Sequence, residues 1–239
     1  MKTTELIVAL DYDSMEEAIK LVDTLGDSVK WFKVGSQLFT RFGTAVVSEL
    51  KKRNKKVFLD LKFHDIPNTV SKAVASAAAI GADMVNVHAS GGFEMMHEAV
   101  RSGKEVNPQI LVIAVTVLTS MDDSKLSETL NWPRPGYTAE EHVGHLAKLA
   151  KSAGLDGVVA SAHEIRVIRE LCGKDFILVI PGIRPAGSSK DDQKRIVTPA
   201  QAADEGAEFI VVGRPITAAK APALAARAIL DELTIRRNV

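Results

Sequence analysis

The feature that most constrains this fold is a repeat. Short apolar runs end in polar or glycine residues and lead into amphipathic helical stretches, at residues 6–10, 31–34, 57–61, 84–87, 110–115, 157–160, 177–180 and 209–212. Strands that alternate with helices pair in parallel, because each helix is the crossover that returns the chain to the same end of the sheet. About eight such units fit a closed barrel better than an open doubly wound sheet of six or so strands. The expectation is an α/β protein: one single-domain (β/α)8 TIM barrel spanning residues 1–239, undivided by any linker or shift in composition. Composition agrees. Of the residues, 46% are hydrophobic but only 5% aromatic, and aliphatic runs suit strands covered on both faces.

The helices carry ordinary boundary signals. Asp13 or Ser14 can cap the first, with Glu16 and Glu17 in its first turn and Gly26 just past its end,. Pro67 and the Thr198-Pro199 pair open later helices, where the missing proline N–H costs nothing,. Two connections, 118–137 and 182–197, are long for a compact barrel. Both follow strands, so both belong to the face on which barrels carry their sites. The second is expected to close as a lid over bound phosphate.

Charge and cysteine content exclude several classes. Thirty Lys and Arg balance thirty Asp and Glu, so the basic excess of a nucleic-acid binder is missing. The lone Cys172 has no intramolecular partner, which fits a reducing compartment,. The apolar run after residues 1–5 is too short for a signal-peptide core, and no stretch approaches the roughly 20 apolar residues of a membrane span,. A cytoplasmic protein without membrane partners is expected.

The chemistry concentrates at strand ends. The third unit reads Val57-Phe58-Leu59-Asp60-Leu61-Lys62-Phe63-His64-Asp65-Ile66-Pro67-Asn68-Thr69. Alternate strand residues share a face, so Asp60 and Lys62 point to the barrel axis while Leu59 and Leu61 point to the helices. Taken alone, such a pair could be a structural ion pair, because charges at that depth must be matched. The first strand, however, runs into Asp11 and the second contains Lys33. In a closed barrel these strands are neighbours, and Asp11, Lys33, Asp60 and Lys62 become a cluster of alternating sign. At the far side of the sequence, Val211-Val212-Gly213-Arg214-Pro215 passes from strand to helix. There a backbone without Cβ, helical N–H groups and a guanidinium can grip an anion, where barrels often bind phosphate.

The string Asp60-x-Lys62-x-x-Asp65-Ile66-Pro67-Asn68-Thr69 closely resembles the signature of the orotidine 5′-phosphate decarboxylase family, and the similarity runs from Asp11 to Arg214. The resemblance implies loss of CO2 from orotidine 5′-phosphate to give uridine 5′-phosphate in pyrimidine biosynthesis, with no cofactor and no metal. It makes Lys62 the acid that delivers a proton to C6 and puts Asp60 beside the substrate carboxylate. Lys33 would bridge Asp60 and the ribose, and Asp11 would hold a ribose hydroxyl. Asp65 and Thr69 would complete the site of a neighbouring subunit, which implies a homodimer. Arg184, Gln193, Gly213 and Arg214 would contact the substrate at or near its phosphate, and Thr119 and Ser120 would meet the pyrimidine. His88 could line the site or be a packed histidine beside Gly91-Gly92.

The chemistry is coherent without a cofactor. Departure of CO2 leaves an electron pair in the ring plane, where the ring carbonyls cannot readily delocalise it; a fixed ammonium can stabilise it instead. Two alternatives stand beside this reading. A metal-dependent sugar-phosphate decarboxylase of the same suprafamily would carry an acid where this chain has Lys33, whose charge repels a divalent cation. A non-catalytic nucleotide-phosphate binder would need the phosphate residues but not Lys62.

Overall fold

The computed structural model describes residues 4–130, 136–185 and 197–234. Eight parallel strands close into a barrel in sequence order. β1 (Glu5–Ala9) precedes the helix Met15–Leu25, and β2 (Trp31–Gly35) precedes the helices Ser36–Phe42 and Thr44–Lys52. β3 (Lys56–Phe63), β4 (Met84–His88) and β5 (Leu111–Val115) lead to the helices Pro67–Ala79, Gly92–Val106 and Ala139–Ser152. β6 (Gly157–Val159), β7 (Ile177–Ile180) and β8 (Phe209–Val212) are followed by Ile165–Cys172, Pro199–Asp204 and the pair Arg214–Thr217 and Pro222–Thr234.

The expected caps form. The Ser14 hydroxyl accepts the Glu17 N–H, Pro67 occupies the first turn of its helix, and Thr198 makes a reciprocal capping box with Gln201. Two segments carry more structure than the repeat alone implies. The helical stretch after β2 is broken in two at Gly43, whose φ of 58° favours a residue without Cβ,. The connection 118–137 is not a bare loop: it holds the helix Asp123–Thr129, capped by the Asp122 side chain accepting from the Lys125 N–H.

Strand parity sorts the core into two layers. Leu59, Val85 and Ile210 face the helices, whereas Ile7, Phe58, Met84, Ile113 and Val179 fill the barrel interior. Trp31 and Phe209 meet edge to face inside it, with ring centroids 5.2 Å apart,.

The N-terminal rim is locked by a device used three times. Asp83, Asp156 and Glu208 each stand one residue before an even-numbered strand. Their carboxylates accept the N–H of Val57, Val112 and Leu178 at 2.8 Å on the preceding strand. Each also holds a basic partner: Lys51 and Lys56 for Asp83, Lys104 for Asp156, Arg169 for Glu208. Three strand starts are pinned in register at the end opposite the site.

Candidate active site

The C-terminal ends of β1 to β3 bring the four predicted charges together. Lys33 Nζ lies 3.1 Å from Asp11 Oδ1 and 3.3 Å from Asp60 Oδ2. Lys62 Nζ lies 2.6 Å from Asp60 Oδ1. The result is a chain of alternating sign, Asp11–Lys33–Asp60–Lys62, with Asp60 almost fully buried and Asp11 at the open end.

These contacts set the charge states. Burial alone would push the Asp60 carboxyl up, but the ammoniums of Lys33 and Lys62 and the hydrogen bonds from Lys62 and Asn86 outweigh it, and its pKa lies below the ordinary carboxylate value,. Burial would pull the Lys33 ammonium down, yet the carboxylates of Asp60 and Asp11 win and hold it above the usual lysine value,. The pair therefore stays ionised over a wide pH range.

The Lys62 side chain does not reach its place by simple alternation. Leu59 pairs with Val85 and Phe63 with Val87, so β3 spends four steps where β4 spends two, and the ladder shifts between them,. Within this irregular stretch Lys62 adopts φ 52°, a left-handed conformation that disfavours any residue with a Cβ. Asn86 of β4 was not singled out from the sequence. It is fully buried, donates from Nδ2 to Asp60 Oδ1 at 2.7 Å and accepts the Lys62 backbone N–H at 2.8 Å. The available signal was weak: an amide at an inward position between Val85 and Val87, on the strand next to Asp60-x-Lys62.

Two cavities open on this array. One, of about 230 Å3, is lined by Asp11, Lys33, Arg184, Gly213 and Arg214 with Pro181, Gly182 and Ile183. The other, of about 160 Å3, is lined by Lys33, Asp60, Lys62 and Thr119 with the apolar Phe58, Val115, Val117 and Leu118. Lys33, Pro181 and Val211 belong to both, so the compartments meet at Lys33. Arg184 is buried, and its N–H bonds the Val197 carbonyl at 3.1 Å, which joins the two ends of the 182–197 connection. Gln193 and most of the expected lid lie outside the described residues.

The remaining predicted residues divide. Thr119 lines the smaller cavity; Ser120 is exposed and outside that lining, and its carbonyl accepts from Lys125 Nζ at 3.0 Å. Asp65 and Thr69 are exposed beside Ile66, line neither cavity, and so do not contribute to their own chain's pocket. His88 is half-buried, with its ring 5.4 Å from that of His64. Burial, His64 and Lys62 push its pKa down, against a weaker pull from Asp60. It lines neither cavity. Among the described residues no group of three or more His, Cys, Asp or Glu is placed to hold a metal ion, and no helix is long and apolar enough to cross a membrane.

A closed barrel whose C-terminal mouth joins an arginine-lined pocket to an array of acids and ammoniums built around the buried Asp60 defines a class, the TIM-barrel enzymes that act on small anionic substrates,. The comparisons narrow it. A family model described as orotidine 5′-phosphate decarboxylase / HUMPS matches residues 4–229, and the chain belongs to that family. The orotidine 5′-phosphate decarboxylase of Legionella pneumophila (strain Paris) is 51% identical over 232 residues, covering 97% of this chain and all of the relative. That of Moorella thermoacetica is 50% identical over 234 residues, covering 96% and 92%. The crystal structure of orotidine 5′-phosphate decarboxylase from Lactobacillus acidophilus superposes with a TM-score of 0.84 at 39% identity, covering 96% of this chain and 99% of the other.

Proposed function

We propose that this chain decarboxylates orotidine 5′-phosphate to uridine 5′-phosphate, a step of pyrimidine biosynthesis, at the junction of the two cavities. Family membership and the names of full-length relatives support the reaction. The observation that carries the assignment to this site is the shared lining: an arginine pocket and a charged, partly apolar pocket meet at Lys33. A nucleoside monophosphate has the matching order of parts. Its phosphate fits Arg184, Gly213 and Arg214, its ribose fits Asp11 and Lys33, and its pyrimidine fits the compartment of Asp60, Lys62 and Thr119. Gln193 near the phosphate and Ser120 at the ring are carried into this reading by the family resemblance alone.

The mechanism follows from the charges. The substrate carboxylate approaches Asp60, which two ammoniums and an amide keep ionised. As the C6–carboxyl bond breaks, its electron pair stays on C6 and CO2 leaves. Lys62 stabilises that pair through space and then gives its proton to C6. Because the ammonium is fixed before reaction, no reorganisation is required when charge develops. The reaction so written uses no cofactor, and the Lys33 ammonium 3.3 Å from Asp60 would repel a divalent cation at that carboxylate, which disfavours the metal-dependent alternative.

Asp65 and Thr69 line neither of the two site cavities and flank the exposed Ile66. We assign them to the site of a second copy in a homodimer, in a protein that works in the cytoplasm without membrane or nucleic-acid partners. An ultraviolet assay of orotidine 5′-phosphate consumption, run with and without chelator, tests the reading. Turnover indifferent to chelator supports it; no turnover, or turnover lost with chelator, refutes it. Mixing inactive Lys62→Ala and Asp65→Asn chains tests the shared site. Heterodimers would regain one native site each, and additive inactivity would refute the sharing.

A further inference from the structure

We infer that Asn86 is a positioning residue for the proposed decarboxylation, a clasp that fixes both the Asp60 carboxylate and the backbone from which Lys62 projects. The inference rests on the function proposed above and deepens it. The Asn86 side chain is fully buried at an inward position of β4. Its amide nitrogen donates to the same Asp60 oxygen that receives Lys62 Nζ, at 2.7 and 2.6 Å. Its amide oxygen accepts the Lys62 N–H, at 2.8 Å.

Each bond answers a specific need. The β3 irregularity leaves the Lys62 N–H facing a side chain, and a buried N–H without an acceptor is costly,. The left-handed Lys62 backbone persists only if its surroundings over-determine it,. On the other side, Asp60 Oδ1 is shared between an ammonium that moves its proton and an amide that cannot ionise. When Lys62 becomes neutral, the amide still holds the carboxylate, so Asp60 keeps its orientation through the proton transfer. A carboxamide carries a donor and an acceptor on one planar group and keeps both at every pH, which an imidazole or a carboxyl does not.

The test uses two variants of the full chain. Asn86→Ala removes both bonds and should lower kcat on the order of 10²-fold, the scale of a misplaced reacting group. Affinity for uridine 5′-phosphate, measured calorimetrically, should stay within about threefold of the parent, because the phosphate and ribose contacts are untouched. Asn86→Asp keeps the shape and sets a second carboxyl against Asp60, where one of the two is pushed to hold a proton. When protonated, the new carboxyl donates and accepts as the amide did. Its kcat should therefore climb about tenfold or more from pH 8 to pH 5.5 while the parent profile stays flat. A purely structural role would give neither signature. The inference is overturned if Asn86→Ala keeps kcat within about threefold of the parent, or if kcat and nucleotide affinity fall by the same factor. A flat Asn86→Asp profile overturns it as well. If the parent has no decarboxylase activity, the proposed function fails, and crystal structures of both variants judge the clasp alone: Lys62 should leave its left-handed conformation in Asn86→Ala, and its retention there overturns the inference.

Discussion

Lys62 is asked to do two incompatible things, and glycine and alanine substitutions separate them. Its side chain supplies the proposed ammonium, while its backbone sits at φ 52°, a region that suits glycine. The only other non-glycine residue described at positive φ is Asn54, of a type that tolerates it,. Lys62→Ala and Lys62→Gly both delete the ion pair with Asp60, and both leave that carboxylate held by Lys33 at 3.3 Å and Asn86 at 2.7 Å. Their difference therefore isolates the backbone. A left-handed residue with a Cβ costs about 1–2 kcal/mol, from which about 0.4–1 kcal/mol is subtracted for the greater unfolded-state freedom of glycine. Lys62→Gly should be about 0.5–1 kcal/mol more stable than Lys62→Ala, which for a chain of this size is about 1–4 °C in Tm. Both should lose turnover by a factor of about 10⁴ or more, combining the loss of a preorganised charge with the loss of a proton donor. Calorimetric melting and the ultraviolet assay read the two effects. An alanine variant as stable as the glycine variant would refute the strain, and glycine turnover within about tenfold of the parent would refute the ammonium's role.

Other outcomes follow from the same geometry. The Asp60 pKa is depressed and the Lys33 pKa raised, so the stability Asp60 confers is present above ~3.8 and lost only as pH falls through its lower folded value, and that from Lys33 is lost only as pH rises through a value above ~10.5. Stopped-flow kcat should therefore be flat from ~pH 5.5 to ~pH 9, and a limb inside that window that vanishes in Lys33→Met would contradict the charge assignment. His88 has a lowered pKa, chiefly through burial. The folded state then binds fewer protons than the unfolded one below ~6.5, and stability is lost as pH falls from there towards the folded value. Part of the Tm drop between pH 7.5 and pH 5.5 should be missing in His88→Gln; an identical drop would show that His88 does not contribute. Arg214→Ala should cut kcat/KM for orotidine 5′-phosphate by about 10–150-fold, the loss of a charged hydrogen bond of about 1.5–3 kcal/mol, and leave the phosphate-free nucleoside unaffected. Equal losses on both substrates would remove Arg214 from the phosphate pocket.

The barrel was legible because its signal is redundant. Eight aliphatic runs with helices between them leave few topologies, and Phe58 inside with Leu59 outside is what alternation requires. The charged cluster was legible for a related reason, since Asp11, Lys33 and Asp60 sit at matching ends of adjacent strands once the barrel closes. The β3 irregularity was not: Asp60-Leu61-Lys62 reads as plain alternation, and only pairing with β4 reveals the extra residues. Asn86 was hidden because an amide between Val85 and Val87 names no partner in one dimension. The helix Asp123–Thr129 was missed although its cap, Asp122, was in view, because seven residues are too few to show a period. The rim carboxylates Asp83, Asp156 and Glu208 recur before even strands, but their meaning depends on which N–H groups lie across the register.

The arrangement at the mouth also explains how the fold tolerates its charges. Asp11, Lys33, Asp60 and Lys62 sum to zero and touch in alternating order, so the array is internally compensated and Asp60 can be buried without forfeiting ionisation,. In the proposed reaction the orotate carboxylate would break that balance by adding a negative charge next to Asp60, and loss of CO2 would leave the negative charge on C6, nearer the ammonium of Lys62. Proton transfer then consumes one positive charge and one negative charge together. At every stage the energy depends on where Asp60 and Lys62 are held. An array of this kind works only on a frame that does not yield. Here the frame is a barrel with three strand starts locked at the far rim and one buried amide gripping both partners at the near one.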